Sequence, residues 1–296
     1  MKGRYSMKFG TYFAYWEQEW DVDFLPYISK VKNLGFDVLE IAGAGLVSMN
    51  DEELETLRKT AEENDIILTS CIGLPAKYNT ASLDEDTRRN GIEYVKALLD
   101  AMNKAGSKIL GGITYAYWPA DYSKPVEKEA ERKQSIKSIQ ELADYADQYG
   151  ITFSLETVNR FEQYLFNDAK EAVAFVKDVD RKNVNVMLDC FHMNIEEDFM
   201  GEAIRETGEY LGHFHIGEAN RKVPGKGHMP WAEIGQALRD INYEGYVVME
   251  PFVKPGGGVG KDIKVWRDLS DGAGAEQMDW DIEDSLEFVK EQFEWK

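Results

Sequence analysis

Glu156, Asp189, His215 and Glu250 stand at or near the ends of four successive apolar runs, ITFSLE (151–156), VNVMLD (184–189), LGHFHIG (211–217) and GYVVME (245–250). They are spaced 33, 26 and 35 residues apart, each about one strand–helix unit. If the runs are neighbouring strands of a barrel, their ends converge on one axial spot. Isolated charges there are costly unless they are paired or bound to a metal. Three carboxylates and one imidazole, with no thiolate, make a hard, oxygen-rich donor set. Such a set suits Mn2+, Co2+ or Mg2+ in an open five- or six-fold site better than a closed structural zinc. The competing reading is that Glu156 and Glu250 merely pair with basic residues at a rim. The stretch that supplies His215, LGHFHIGEANRKVPGKGHMPW (211–231), holds three of the four histidines in the chain. His213 alternates in phase with His215 and so points to the same side of the strand, where a supporting or packing role is expected. His228 is expected to face solvent.

The elements that would position these residues form a regular alternation. Four earlier apolar runs, KFGTYFA (8–14), VLEIA (38–42), IILTSC (66–71) and KILGGI (108–113), bring the strand count to eight. Continuous apolar runs suit parallel strands buried on both faces. Between them lie segments of helical spacing such as LPYISKVKNL, DEELETLRKTAEEN and ERKQSIKSIQELADYADQY. Gly35, Gly106, Gly150 and Gly245 stand where a left-handed residue would end a helix, with Asn64 or Asp65 doing so once. Asp51, Asp84 and Asp168 stand at expected N-caps. Eight such units predict an α/β fold, a single (β/α)8 TIM barrel over residues 1–296. A doubly wound open sheet is the alternative, weakened by the lack of a Gly-rich phosphate loop after the first strand. Residues 254–274, KPGGGVGKDIKVWRDLSDGAG, are expected as a long loop after strand eight, on the face where barrel active sites lie.

Composition narrows the partners. A formal charge of −20 leaves no positive face for a phosphate backbone, so nucleic acid is not expected. No stretch approaches the ~18 apolar residues of a membrane span, and MKGRYSMKFG has no apolar leader core, so no membrane association is expected. Residues 1–6 are expected to be a short extension ahead of Met7. Two cysteines, Cys71 and Cys190, make no disulfide framework and fit a reducing cytoplasm.

Five strings, YFAYWEQEW, LETVNRFEQYL, VMLDCFHMNIEED, GHFHIGEANRKVPG and VVMEPFV, make the chain resemble the D-tagatose/D-psicose (allulose) 3-epimerases from Met7 through the Gly-rich segment. The resemblance implies a (β/α)8 barrel, a divalent metal (usually Mn2+ or Co2+), homodimers or homotetramers, and free ketohexose substrates. It implies metal-ligand roles for Glu156, Asp189, His215 and Glu250, with Glu156 and Glu250 also the acid/base pair. By the same matching, Glu162, His192 and Arg221 hold substrate oxygens, while Tyr12 and Trp118 line the pocket. Taken alone, Glu162 reads equally as a solvated loop charge and His192 as a packed histidine, while Arg221 reads more readily as a surface residue and the aromatics as core. Inverting carbon 3 requires a base on each side of the C2–C3 plane and stabilisation of the enediolate between them. An aldose–ketose isomerase on the same metal barrel is the nearest alternative. A metal-dependent phosphodiesterase or endonuclease is more remote, because that chemistry wants more histidines and a less acidic chain.

Overall fold

Short, almost fully buried strands alternate with helices throughout residues 7–293, which the computed structural model describes; the expected extension at 1–6 lies outside them. The strands are β1 (Lys8–Tyr12), β2 (Val38–Ala42), β3 (Ile67–Gly73), β4 (Ile109–Ile113), β5 (Thr152–Thr157), β6 (Val184–Asp189), β7 (Leu211–Ile216) and β8 (Tyr246–Met249). All neighbours pair in parallel, and β1 pairs with β8 to close the barrel in sequence order. The fold is the expected (β/α)8 barrel. Each strand begins and ends within two residues of its apolar run, because burial on both faces demands unbroken apolar sequence.

Register decides what meets at the top of the barrel. Asp189 on β6 lies directly opposite His215 on β7. Glu156 is opposite Met187, two residues before Asp189. The Glu250 amide donates to the Ile216 carbonyl (2.9 Å), which places Glu250 just beyond β8 and beside the end of β7. On β4, Gly112 (φ 95°) has no room for a side chain, since a Cβ there would fall 2.3 Å from the Ile72 carbonyl oxygen.

The junctions follow the sequence with two corrections. Gly35, Gly106 and Gly150 adopt positive φ after their helices, and Asp65 does so after Asp51–Glu63. Gly245 does not: Asn242 (φ 53°) turns the chain after the helix Trp231–Asp240. Glycine is required at 245 for another reason, because a Cβ there would lie 2.4 Å from the Tyr243 hydroxyl. Asp84 and Asp168 cap as expected, accepting from the amides of Thr87 and Glu171. Asp51 does not cap. Asn50 takes that place, accepting from Glu52 and Glu53, while the Glu53 carboxylate returns to the Asn50 amide in a capping box.

The expected loop 254–274 contains a helical segment, Gly257–Ile263. Its glycines let the backbone lie against residues 18–20: Val259 N–H donates to the Gln18 carbonyl (2.9 Å), and Trp20 Nε1 donates to Asp262 (2.9 Å). Close backbone approach there adds to the packing of Val259 and Ile263 against the core. Among the described residues no helix is long and apolar enough to cross a membrane.

Candidate active site

Asp189 sits at the floor of the site. As the last residue of β6 it caps the helix Cys190–Glu196, with Oδ1 accepting from the Phe191 amide (2.9 Å). That fixes the carboxylate and leaves Oδ2 buried without a hydrogen-bond partner. His215 Nδ1 is likewise buried and unpartnered. Donor atoms of Glu156, Asp189 and His215 lie within 4.8 Å of one another. Glu250 approaches from β8, with Oε1 3.4 Å from His215 Nδ1. Two buried atoms with lone pairs and no hydrogen-bond partner are poorly satisfied by protein alone, and the set fits a divalent cation that prefers oxygen and imidazole.

Cations of the chain itself temper the negative charge. Arg221 Nη1 donates to Glu250 Oε2 (3.1 Å) and lies 3.5 Å from Asp189 Oδ2. Its guanidinium stacks over Phe191 at 3.5 Å from the ring centre. Arg221 holds φ at 64°, a backbone state unusual for a residue with a side chain. His192 follows Asp189 by three residues. Its Nδ1 accepts from the Asn159 amide (3.1 Å), so the neutral ring carries its proton on Nε2, which lies 3.5 Å from Glu156 and 3.6 Å from Asp189. Burial opposes charge on His192, but the carboxylates of Glu156, Glu162 and Asp189 outweigh it and the net shift is upward. For Glu156, burial is the main cause of an upward shift; the His192 contact opposes it and the Glu250 charge adds to it. Glu162 moves downward: burial is outweighed by His192, Arg221 and hydrogen bonds from Trp118 Nε1 (2.7 Å) and Asn159 Nδ2 (3.0 Å).

A cavity of about 410 Å3 opens above Asp189 and His215, within the usual range for small-molecule sites of ~300–1,000 Å3. Glu156, Glu162, His192, Arg221 and Glu250 form its polar side, and Tyr12 and Trp118 stand among its apolar lining. The structure thus brings the nine residues predicted for the site around one centre. His228 is exposed, and His213 is buried behind His215, both as expected.

Residues 28–269 match the family described as xylose isomerase-like TIM barrel. Over 284 residues the chain is 52% identical to the D-psicose 3-epimerase of Agrobacterium fabrum, covering 96% of this chain and 98% of that one. A crystal structure of a D-psicose 3-epimerase in the presence of D-fructose superposes with a TM-score of 0.96 at 51% identity, covering 97% of this chain and 99% of the other. The D-psicose 3-epimerase from Clostridium cellulolyticum H10, solved with D-tagatose, gives 0.96 at 50%, covering 98% and 100%. The chain belongs to the ketose 3-epimerases.

As an epimerase it is an isomerase, and two of its buried carboxylates escaped the sequence reading. Glu40, wholly buried in the middle of β2, faces the two histidines of β7: Oε2 is 2.9 Å from His213 Nε2 and Oε1 2.5 Å from His215 Nε2. Burial opposes its charge, yet the facing imidazoles outweigh burial and hold the carboxyl well below the usual range. The available signal was a lone charge inside the apolar run VLEIA. Glu218, also wholly buried, accepts from the amides of Gly225 (2.8 Å) and Met229 (3.1 Å) and from Trp231 Nε1 (2.8 Å). It folds the loop after β7 around itself, and Arg221 sits on that loop, its amide donating to the Glu218 carbonyl (2.8 Å). Nothing in the loop's composition marks Glu218 apart from its charged neighbours.

Proposed function

We propose that this chain is a metal-dependent epimerase acting at carbon 3 of free ketohexoses, interconverting D-fructose with D-psicose and D-tagatose with D-sorbose. The observation that carries the reading is the placement of two glutamates, Glu156 from β5 and Glu250 from β8, on the wall of one cavity, either side of the strands that bear Asp189 and His215. The names of its relatives, and the sugars present with two of them, support the substrate class.

Glu156, Asp189, His215 and Glu250 would hold the ion; Mn2+ is the first choice and Co2+ or Mg2+ would also suit the donors. When bound, a divalent ion supplies Lewis-acid stabilisation of charge developing on the sugar oxygens. One glutamate removes the C3 proton from one face, giving an enediolate, and the other returns a proton to the opposite face. In the reverse direction they exchange roles. Arg221, His192 and Glu162 orient the sugar through its oxygens: Arg221 offers N–H donors, His192 its Nε2–H, and Glu162 accepts from hydroxyls. Tyr12 and Trp118 present ring surface to the sugar's C–H face and keep water from the reacting carbon. The reading extends to a homodimer or homotetramer, as the family resemblance implies, and to a cytoplasmic location suited to the two free, buried cysteines.

The test is incubation with Mn2+ and D-fructose in D2O, followed by NMR of the sugar. The expected result is psicose with deuterium at C3. Label at C1 or C2 with aldose formed would make the chain an aldose–ketose isomerase instead, and no exchange with any ketohexose would remove the proposal.

A further inference from the structure

Glu40 meets the Nε2 side of the His215 ring, away from the Nδ1 that faces Glu250, and is not itself among the residues lining the cavity. Its surroundings are nevertheless fully specified. Thr69, its register partner on β3, donates its hydroxyl to Oε2 (2.8 Å). His213 Nε2 meets the same oxygen and His215 Nε2 meets the other. A carboxylate accepts and does not donate, so both imidazoles must present N–H through Nε2. When neutral, as a metal ligand must be, His215 is thereby the tautomer with Nδ1 bare, and Nδ1 is the buried atom left without a hydrogen-bond partner beside Glu156, Asp189 and Glu250. With both oxygens engaged from two sides, the Glu40 carboxylate cannot turn away from His215.

We propose that Glu40 is the positioning residue of the metal centre: its buried carboxylate holds the His215 ring in the one tautomer and orientation that offers Nδ1 to the cation, and its negative charge makes that nitrogen a better donor. His213 and Thr69 act one step further out, by immobilising Glu40. Two buried histidines and a glutamate in contact also have the composition of a metal site, but His215 Nε2 and Glu40 Oε1 are at hydrogen-bonding distance. The three therefore act as a scaffold for the ion and do not form a second site. The inference rests on the proposed metal centre.

The experiment is Mn2+ binding to the full-length chain, followed by loss of the free-ion EPR signal, with thermal unfolding measured in parallel. Wild type is expected to bind one Mn2+ per chain and Glu40→Gln to bind it 10- to 100-fold more weakly. If wild type binds no Mn2+, the metal centre itself is wrong, and this inference falls with it. If wild type binds and Glu40→Gln binds equally well, whatever its melting temperature, Glu40 is only a packing residue and the inference alone falls. Should Glu40→Gln not fold, nitrogen-15 NMR of the histidines in the Mg2+-saturated wild type decides the matter. His215 protonated on Nε2 is the expected state, and His215 protonated on Nδ1 would overturn the assignment.

Discussion

The strands divide into two halves that meet the same cavity with different side chains. In β5–β8 the residues at or one position from the strand ends are Glu156, Asp189, His215 and Glu250; in β1–β4 the last strand residues are Tyr12, Ala42, Gly73 and Ile113. Six of these eight, all but Asp189 and His215, line the cavity itself. One half supplies charge and donors, while the other supplies shape and room. The division fits the proposed chemistry, since the two glutamates can flank a bound sugar from either side of β6 and β7 while the other half leaves apolar space for its carbon skeleton. Glu40 is the exception. It belongs to the first half by sequence but works for the second, reaching His213 and His215 on β7 from β2.

The sharpest way to break the comparison is to remove a proton carrier from the charged half. Glu250→Gln is expected to lower kcat by roughly 10²- to 10⁴-fold, the usual worth of general acid–base catalysis, with an unchanged melting temperature. Chromatographic assay of psicose formation checks it, and retained turnover would contradict the acid/base assignment. Arg221→Ala should cost less. Losing a donor to a charged partner is worth about 1.5–3 kcal/mol, so kcat/KM on D-fructose should fall on the order of 10- to 100-fold.

A change in the shaping half should act differently. Gly73→Ala puts a Cβ 2.9 Å from the Trp118 ring, which must shift and strain its hydrogen bond to Glu162. Steady-state kinetics should show KM rising roughly five- to ten-fold with kcat nearly kept, since about 1–1.4 kcal/mol, the low end of what overpacking costs, would fall on binding. If kcat fell as far as in Glu250→Gln, the division of labour would be wrong. Smallest of all, Asn50→Ala removes the capping box of the helix Asp51–Glu63. It should cost about 1 kcal/mol in urea unfolding and leave both kinetic constants untouched.

The two halves also differed in how far the sequence disclosed them. Strand positions were legible throughout, because strands buried on both faces leave unbroken apolar runs. The donors of β5–β8 were legible because charge at the end of such a run stands out, and their spacing matched the strand–helix repeat. The Glu40 contact was not legible, since nothing local says that a charge in β2 faces histidines on β7; closure of the barrel brings them together. The Asp51 and Gly245 assignments missed for a related reason. Asn50 caps as well as aspartate does, and asparagine tolerates the left-handed turn at 242, so a neighbour took each role. The helical segment in 254–274 depends on backbone contact with residues 18–20, which composition does not encode.

The central claim is that one divalent ion is gripped by side chains from four consecutive strands. Anomalous diffraction at the manganese edge, from crystals soaked in Mn2+, tests it most directly. One peak is expected within bonding distance of Asp189 Oδ2 and His215 Nδ1, flanked by Glu156 and Glu250. No peak at that position, or one lying between Glu40 and His213, would contradict the claim.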